Sequence, residues 1–195
     1  MSENNLVIPE SLAQFVNNDQ PRELRLSAAK GMIPAPPGDL VLVLYALTRD
    51  VDPEIAENAA NSINEIPGEV LLSVLSNKNT NPGILDYFAR KSEDDKVVET
   101  IVLNSSTPDS TISFLAETSP DHAIHELIAG SHERILRSES IAEAFSRNPV
   151  VSRSTLDSVI DYIKLSLGES SERPDNISIT GTSGHDPGQL SETGQ

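Results

Sequence analysis

The chain has 195 residues, 37% of them apolar, and its thirty acids against fourteen bases give a formal net charge of −16. Cysteine is absent, which excludes a disulfide framework, thiolate metal ligation and a cysteine nucleophile, so the fold must rest on packing alone. Nucleic acid and anionic membranes are disfavoured as partners, because affinity for phosphate backbones is built from Lys and Arg.

The first five residues, Met1 to Asn5, lack the basic stretch and apolar run of an export signal, so a cytoplasmic location is expected. Periodicity of the helical kind then predicts helices over 9–18, 21–30, 38–49, 53–64, 68–77, 83–91, 95–103, 108–117, 120–129, 132–147 with a break, and 152–167. Within them, Val70, Leu71, Val74 and Leu75 share one helical face, as do Ile112, Leu115 and Ala116. The longest apolar stretch, Leu40 to Leu47, is far short of the roughly 20 residues a membrane span needs. Prolines punctuate the helix starts: in Asp52-Pro53, Asn81-Pro82, Thr107-Pro108 and Ser119-Pro120 a capping residue precedes a Pro at the first helical position, where no backbone donor is required. Gln20-Pro21 and Ile66-Pro67 lack such a cap. Strand signals are weak, and no Asn-Gly or Asp-Gly turn joins β-rich runs.

Self-comparison reveals a degenerate repeat. Asn77 is preceded by Val70, Leu71 and Val74 and followed by Leu85, Phe88 and Ala89. Asn104 repeats the spacing with Val97, Val98, Ile101, Ile112, Leu115 and Ala116, and Asn148 does so with Ile141, Ala142, Phe145, Leu156, Val159 and Ile160. Gly130 takes the same position after Ala123, Ile124 and Leu127, but its downstream half departs from the pattern. Asn77, Asn104, Gly130 and Asn148 are therefore expected to be structural turns, ending each helix in the left-handed conformation that Gly accepts freely and Asn better than most. Short helices that cannot bury a face alone, recurring in this way, predict an all-α fold: an α-α superhelix, a short solenoid of degenerate repeats over residues 1–168.

The block Asn104-Ser105-Ser106-Thr107-Pro108 leading into Ile112-Ser113-Phe114-Leu115-Ala116 resembles the HEAT-like and leucine-rich-variant helical repeats of bacteria. The run from Ala28 through Pro36-Pro37-Gly38-Asp39 to Asp52-Pro53-Glu54-Ile55 is similar to bacterial proteins built on such repeats. The resemblance covers roughly residues 20–163 and implies an α-α superhelix used for interaction; the cysteine cluster of some leucine-variant repeat proteins is missing.

Chemistry finds little support. His122 and His125 share a helical face near His132, yet His-x-x-His-Glu is not a zinc-hydrolase motif, and solvated or capping histidines are expected. Glu93-Asp94-Asp95 and Asp50-Val51-Asp52 sit where helices begin, where negative charge is favourable. Ser131-His132-Glu133 places triad residue types in sequence rather than in space, and phosphate-binding and nucleophile-elbow motifs are missing. No catalytic residue, cofactor or metal is expected. Residues 169–195 are acidic, rich in Gly, Ser and Thr, and poor in large apolar side chains, so a disordered tail is expected there. The expected function is a non-catalytic scaffold or adapter for a protein partner with a basic or mixed surface. The alternative is a structural protein that self-associates end to end.

Overall fold

The computed structural model describes residues 6–168. Among these residues the protein is all-α, with twelve helices and no strand: α1 (Glu10–Val16), α2 (Arg22–Ala29), α3 (Pro37–Leu47), α4 (Pro53–Asn64), α5 (Gly68–Leu75), α6 (Pro82–Lys91), α7 (Asp95–Leu103), α8 (Asp109–Thr118), α9 (His122–Ala129), α10 (His132–Arg137), α11 (Glu139–Arg147) and α12 (Arg153–Ser166). The break anticipated within 132–147 falls at Ser138. The expected tail, 169–195, lies outside the described residues. None of the described helices is long and apolar enough to cross a membrane.

Capping separates the prolines into two kinds. Asp52 and Asn81 accept hydrogen bonds from the amides of Glu54 and Gly83 while Pro53 and Pro82 begin their helices, as the sequence predicts. Pro21, Pro67 and Pro108 are instead the capping residues themselves, with extended backbone, and their carbonyls receive the first amides of α2, α5 and α8. At Ser119-Pro120 the helix begins two residues late, because Asp121 caps α9. The starts of α7 and α9 share one device: the Ser92 and Ser119 hydroxyls accept from the amides of Asp94 and Asp121, whose carboxylates accept from Lys96 and Ala123. Asp50 replaces the serine before Asp52.

Helices contact the next but one along the chain. One series runs α1, α3, α5, α7, α9 and α12, and a second includes α2 on α4 and then α6, α8 and α11. Leu75, Ile84, Leu85, Ile101, Ile112, Ile128, Ile141 and Phe145 are buried between the two. Of the three units of six apolar positions found in sequence, only Ile160 is exposed, at 39%.

That exception exposes an error of phase. The sequence aligns α11 with α7 and α12 with α8, but α11 packs on α8 and α12 on α9, so the last unit occupies the two series in the opposite sense. The six-residue helix α10 lies between, and turns the chain over by packing on α11 and α12. Gly130 is a second correction. Its backbone is right-handed, with φ −69° and ψ −14°. The buried pair Ile124 and Ile128 corresponds to Val97 and Ile101, which makes Ser131 the counterpart of Asn104. The amides agree: those of Asn77, Asn104, Ser131 and Asn148 all donate to the carbonyl three residues back. The true spacing is thus 27 on both sides of Asn104.

Candidate functional site

Asn104 and Asn148 do not end their helices in left-handed backbone. Their φ and ψ are −75°, 122° and −85°, 113°, and the positive-φ glycines among the described residues are Gly31 and Gly168. What these positions require of asparagine is its side chain. Asn104 is buried, and its Nδ2 donates to the carbonyls of Leu75 (2.6 Å) and Asn77 (3.0 Å) at the end of α5, while Oδ1 accepts from the Ser106 amide (2.8 Å). Asn148 repeats this against α8, donating to the carbonyls of Ala116 and Ser119 (both 2.9 Å) and accepting from the Val150 amide. Each amide supplies hydrogens to carbonyls at the end of a stacked helix, where the last carbonyls lack intrahelical partners; those of Asn77 and Ser119 also face the Thr80 amide and His125 Nε2, so the Leu75 and Ala116 carbonyls depend on the asparagines most. Threonine three residues later completes the loop: Thr80 and Thr107 are buried and donate to the carbonyls of Val74 and Ile101. Asn77 forms the same local turn, with Oδ1 accepting from the Asn79 amide (2.9 Å), but it is exposed.

The histidines diverge. His122 and His132 are exposed, the latter stacked on Tyr162 at 3.9 Å between ring centroids. His125 is neither solvated nor a cap: it is 0% exposed, its Nε2 lies 2.9 Å from the Ser119 carbonyl and 3.1 Å from Asn148 Nδ2, and Nδ1 has no partner. Asn148 already supplies hydrogens to two carbonyls, so the tautomer with Nε2–H donating to Ser119 leaves only an acceptor unpaired at Nδ1, which costs less than an orphaned N–H. His125 belongs to the core that joins α8, α9 and α11. Among the described residues no three His, Asp or Glu side chains are placed to hold a metal ion. Added zinc is accordingly expected to leave the melting temperature unchanged; a stoichiometric rise would overturn this assignment.

The arginines of the described residues are consumed internally. Arg22, Arg25, Arg90, Arg134, Arg137, Arg147 and Arg153 each pair with a carboxylate, and Arg49 lies over the Tyr45 ring and donates to its hydroxyl. Arg134 also donates to the carbonyls of Asn104 and Thr107, tying α10 to the loop before α8. A hydrogen bond from Arg137, opposed by burial and supported by Arg134, holds the Asp109 carboxyl below the usual carboxylate range. Many exposed acids, among them Glu57, Glu69, Glu93, Asp95 and Glu99, have no such partner among the described residues.

One concavity combines these features. A pocket of about 290 Å³ lies between the end of α6, the start of α7, the end of α8 and the start of α9. Its apolar lining includes Ala89, Val98, Phe114, Leu115 and Ile124, and its acids are Glu93, Asp95 and Asp121. Its one base, Arg90, is engaged: the guanidinium lies 4.3 Å from the Phe114 centroid and donates to Asp86. Burial works against ionisation of Asp86, but hydrogen bonds from Arg90 and Thr111 outweigh it and hold the carboxyl low. The pocket offers an apolar recess bordered by carboxylates, suited to the stem and charged head of a lysine or arginine. Sequence reasoning passed over it because its residues come from four helices. No family model, curated protein or solved structure matches the chain.

Proposed function

We propose that the chain is a short α-solenoid acting as a non-catalytic scaffold, and that it docks a protein partner through basic side chains. Support for the superhelix comes from the stacking of α1 on α3, α3 on α5, α5 on α7 and α7 on α9, with α2 on α4 and α6 on α8 beside them, and from the Asn104 and Asn148 side chains that bind successive layers together. The observation that carries the function is the pocket formed by α6 to α9, with Glu93 and Asp95 at its edge and Phe114 and Ile124 in its lining. A lysine or arginine entering it buries its stem against the apolar wall and meets Glu93 and Asp95, whose carboxylates have no ion-pair partner among the described residues, and the surplus of acid over the whole chain steers such partners toward it.

Titrating a lysine- and arginine-rich peptide into the protein while following backbone amide resonances tests this. Shifts are expected to concentrate at Val98, Phe114 and Ile124, and to weaken as salt rises. Glu93→Lys with Asp95→Lys, both exposed positions, is expected to lower affinity about tenfold or more, the size of a loss of about 1.4 kcal/mol. Shifts spread evenly over the surface, or affinity indifferent to these substitutions, would defeat the reading.

A further inference from the structure

A groove of about 610 Å³ lies where the segment before α1 meets the start of α3, the end of α5 and the loop into α6. Val7, Leu42, Val74 and Ile84 supply apolar wall, and Asn77 and Asn79 line it as well. These two asparagines correspond to Asn104 and Ser106 one repeat later. There the pair takes three main-chain carbonyls of a neighbouring helix end: Asn104 those of Leu75 and Asn77, and Ser106 that of Lys78. Asn77 is held in the same turn by the Asn79 amide, yet its Nδ2 and the Asn79 side chain have no acceptor among the described residues. The cause is local. The helix that precedes α5 in its series, α3, brings its first turn to this place, with Pro37, Gly38 and Asp39 in the groove, and a helix N-terminus offers amides where the asparagines need carbonyls.

We propose that this groove takes the C-terminal turn of α12 from a second copy of the chain. α12 is the last described helix in the series to which α5 belongs. Its last turn carries Leu165 and Leu167, each 71% exposed, beside carbonyls of residues 164–167 that accept from no side chain among the described residues. The Leu165 carbonyl already accepts from main-chain amides, but those of Lys164 and Ser166 have no partner among the described residues, so that end presents both things the groove lacks, carbonyls for Asn77 and Asn79 and apolar side chains for the wall. Charge permits the contact despite the acidic chain: the groove lining holds only Asp39, with Lys78 adjacent in sequence, and the last turns of α12 hold Asp161 and Lys164. Because the two surfaces differ, the contact is head to tail and adds copies until a ring closes or a filament grows. The proposal stands apart from the basic-partner reading, which uses another surface.

Sedimentation of the full chain over a concentration series tests it. The average mass is expected to rise with concentration above the 21.0 kDa of one copy. Asn77→Asp with Asn79→Asp preserves the acceptor of the local turn but replaces the donors with repelling oxygens. Leu165→Glu with Leu167→Glu alters only exposed side chains. Each variant alone is expected to remain monomeric, while an equimolar mixture doubles in mass and goes no further, since each partner retains one intact surface. Wild-type protein that stays monomeric throughout, variants that associate as well as wild type, or a mixture that stays monomeric would overturn the proposal. Because Glu93 and Asp95 are untouched, the same variants still report on basic-peptide binding, so failure of one idea is separable from failure of the other.

Discussion

Asn104→Gly is expected to destabilise the protein by about 3 kcal/mol, because it strands the buried Leu75 carbonyl and the Ser106 amide, groups that each cost about 1–3 kcal/mol when left unpaired. The substitution discriminates between two accounts of the same residue. Were Asn104 a left-handed turn, glycine would fit at least as well and stability would hold or rise. With φ at −75° and the side chain joining α7 to the end of α5, glycine removes the joint and loosens the backbone besides. Asn77→Gly provides the internal control, since its side chain is exposed and holds no neighbouring helix; it is expected to cost well under half as much. The measurement is a denaturant midpoint at unchanged slope, which reports stability without a change in the surface exposed on unfolding. Equal effects at the two positions would show that the joint contributes nothing.

The asparagines also mark the boundary of what the sequence discloses. That they recur at helix ends is visible in the chain alone, but two physical causes favour asparagine there, tolerance of positive φ and a short amide that bonds to main chain. Only coordinates separate them. Gly168 falls on the other side of that ambiguity: its φ is +76°, and it closes α12 in the left-handed conformation that glycine accepts freely. Helix positions were legible because period and punctuation agree, down to the carboxylate caps at Asp52 and Asp94. The phase of the last unit was not legible, since α11 carries an apolar stripe and a terminal asparagine just as α7 does, whichever series it joins.

Other signals were present and underread. His125 follows Ile124 and precedes Ile128 by three residues, on the stripe that is buried, so its place in the core could be argued from period alone. Thr80 and Thr107, and likewise Asp94 and Asp121, recur at the 27-residue spacing that would have placed Ser131 in register. The acidic pocket and the groove beside Asn77 had no comparable trace, because each is assembled from side chains on separate helices, whose meeting depends on how the layers stack.

The largest loss of stability is expected at Arg25, whose pairing with Asp50 no periodicity announces. Arg25 lies on α2 and Asp50 in the loop after α3, with side chains 8% and 0% exposed. Asp50 also accepts from the Asp52 amide at 2.8 Å and so sets the cap of α4. Removing the guanidinium leaves a carboxylate sealed from water with no countercharge, and Arg25→Met should destabilise by about 3–5 kcal/mol, the cost found when one partner of a buried pair is deleted. Neutralising the stranded acid should recover much of this: Arg25→Met with Asp50→Asn keeps an oxygen for the Asp52 amide and leaves no buried charge. The exposed pairing of Arg22 with Asp52 and Glu54 supplies the contrast, since Arg22 is 48% exposed and such a surface pair contributes little and is screened by salt. Denaturant melts at low and high salt distinguish the two, for the Arg25 deficit should persist in salt. If Arg25→Met costs no more than Arg22→Met, or if Asp50→Asn deepens the deficit instead of relieving it, Asp50 is not the buried charge that Arg25 neutralises.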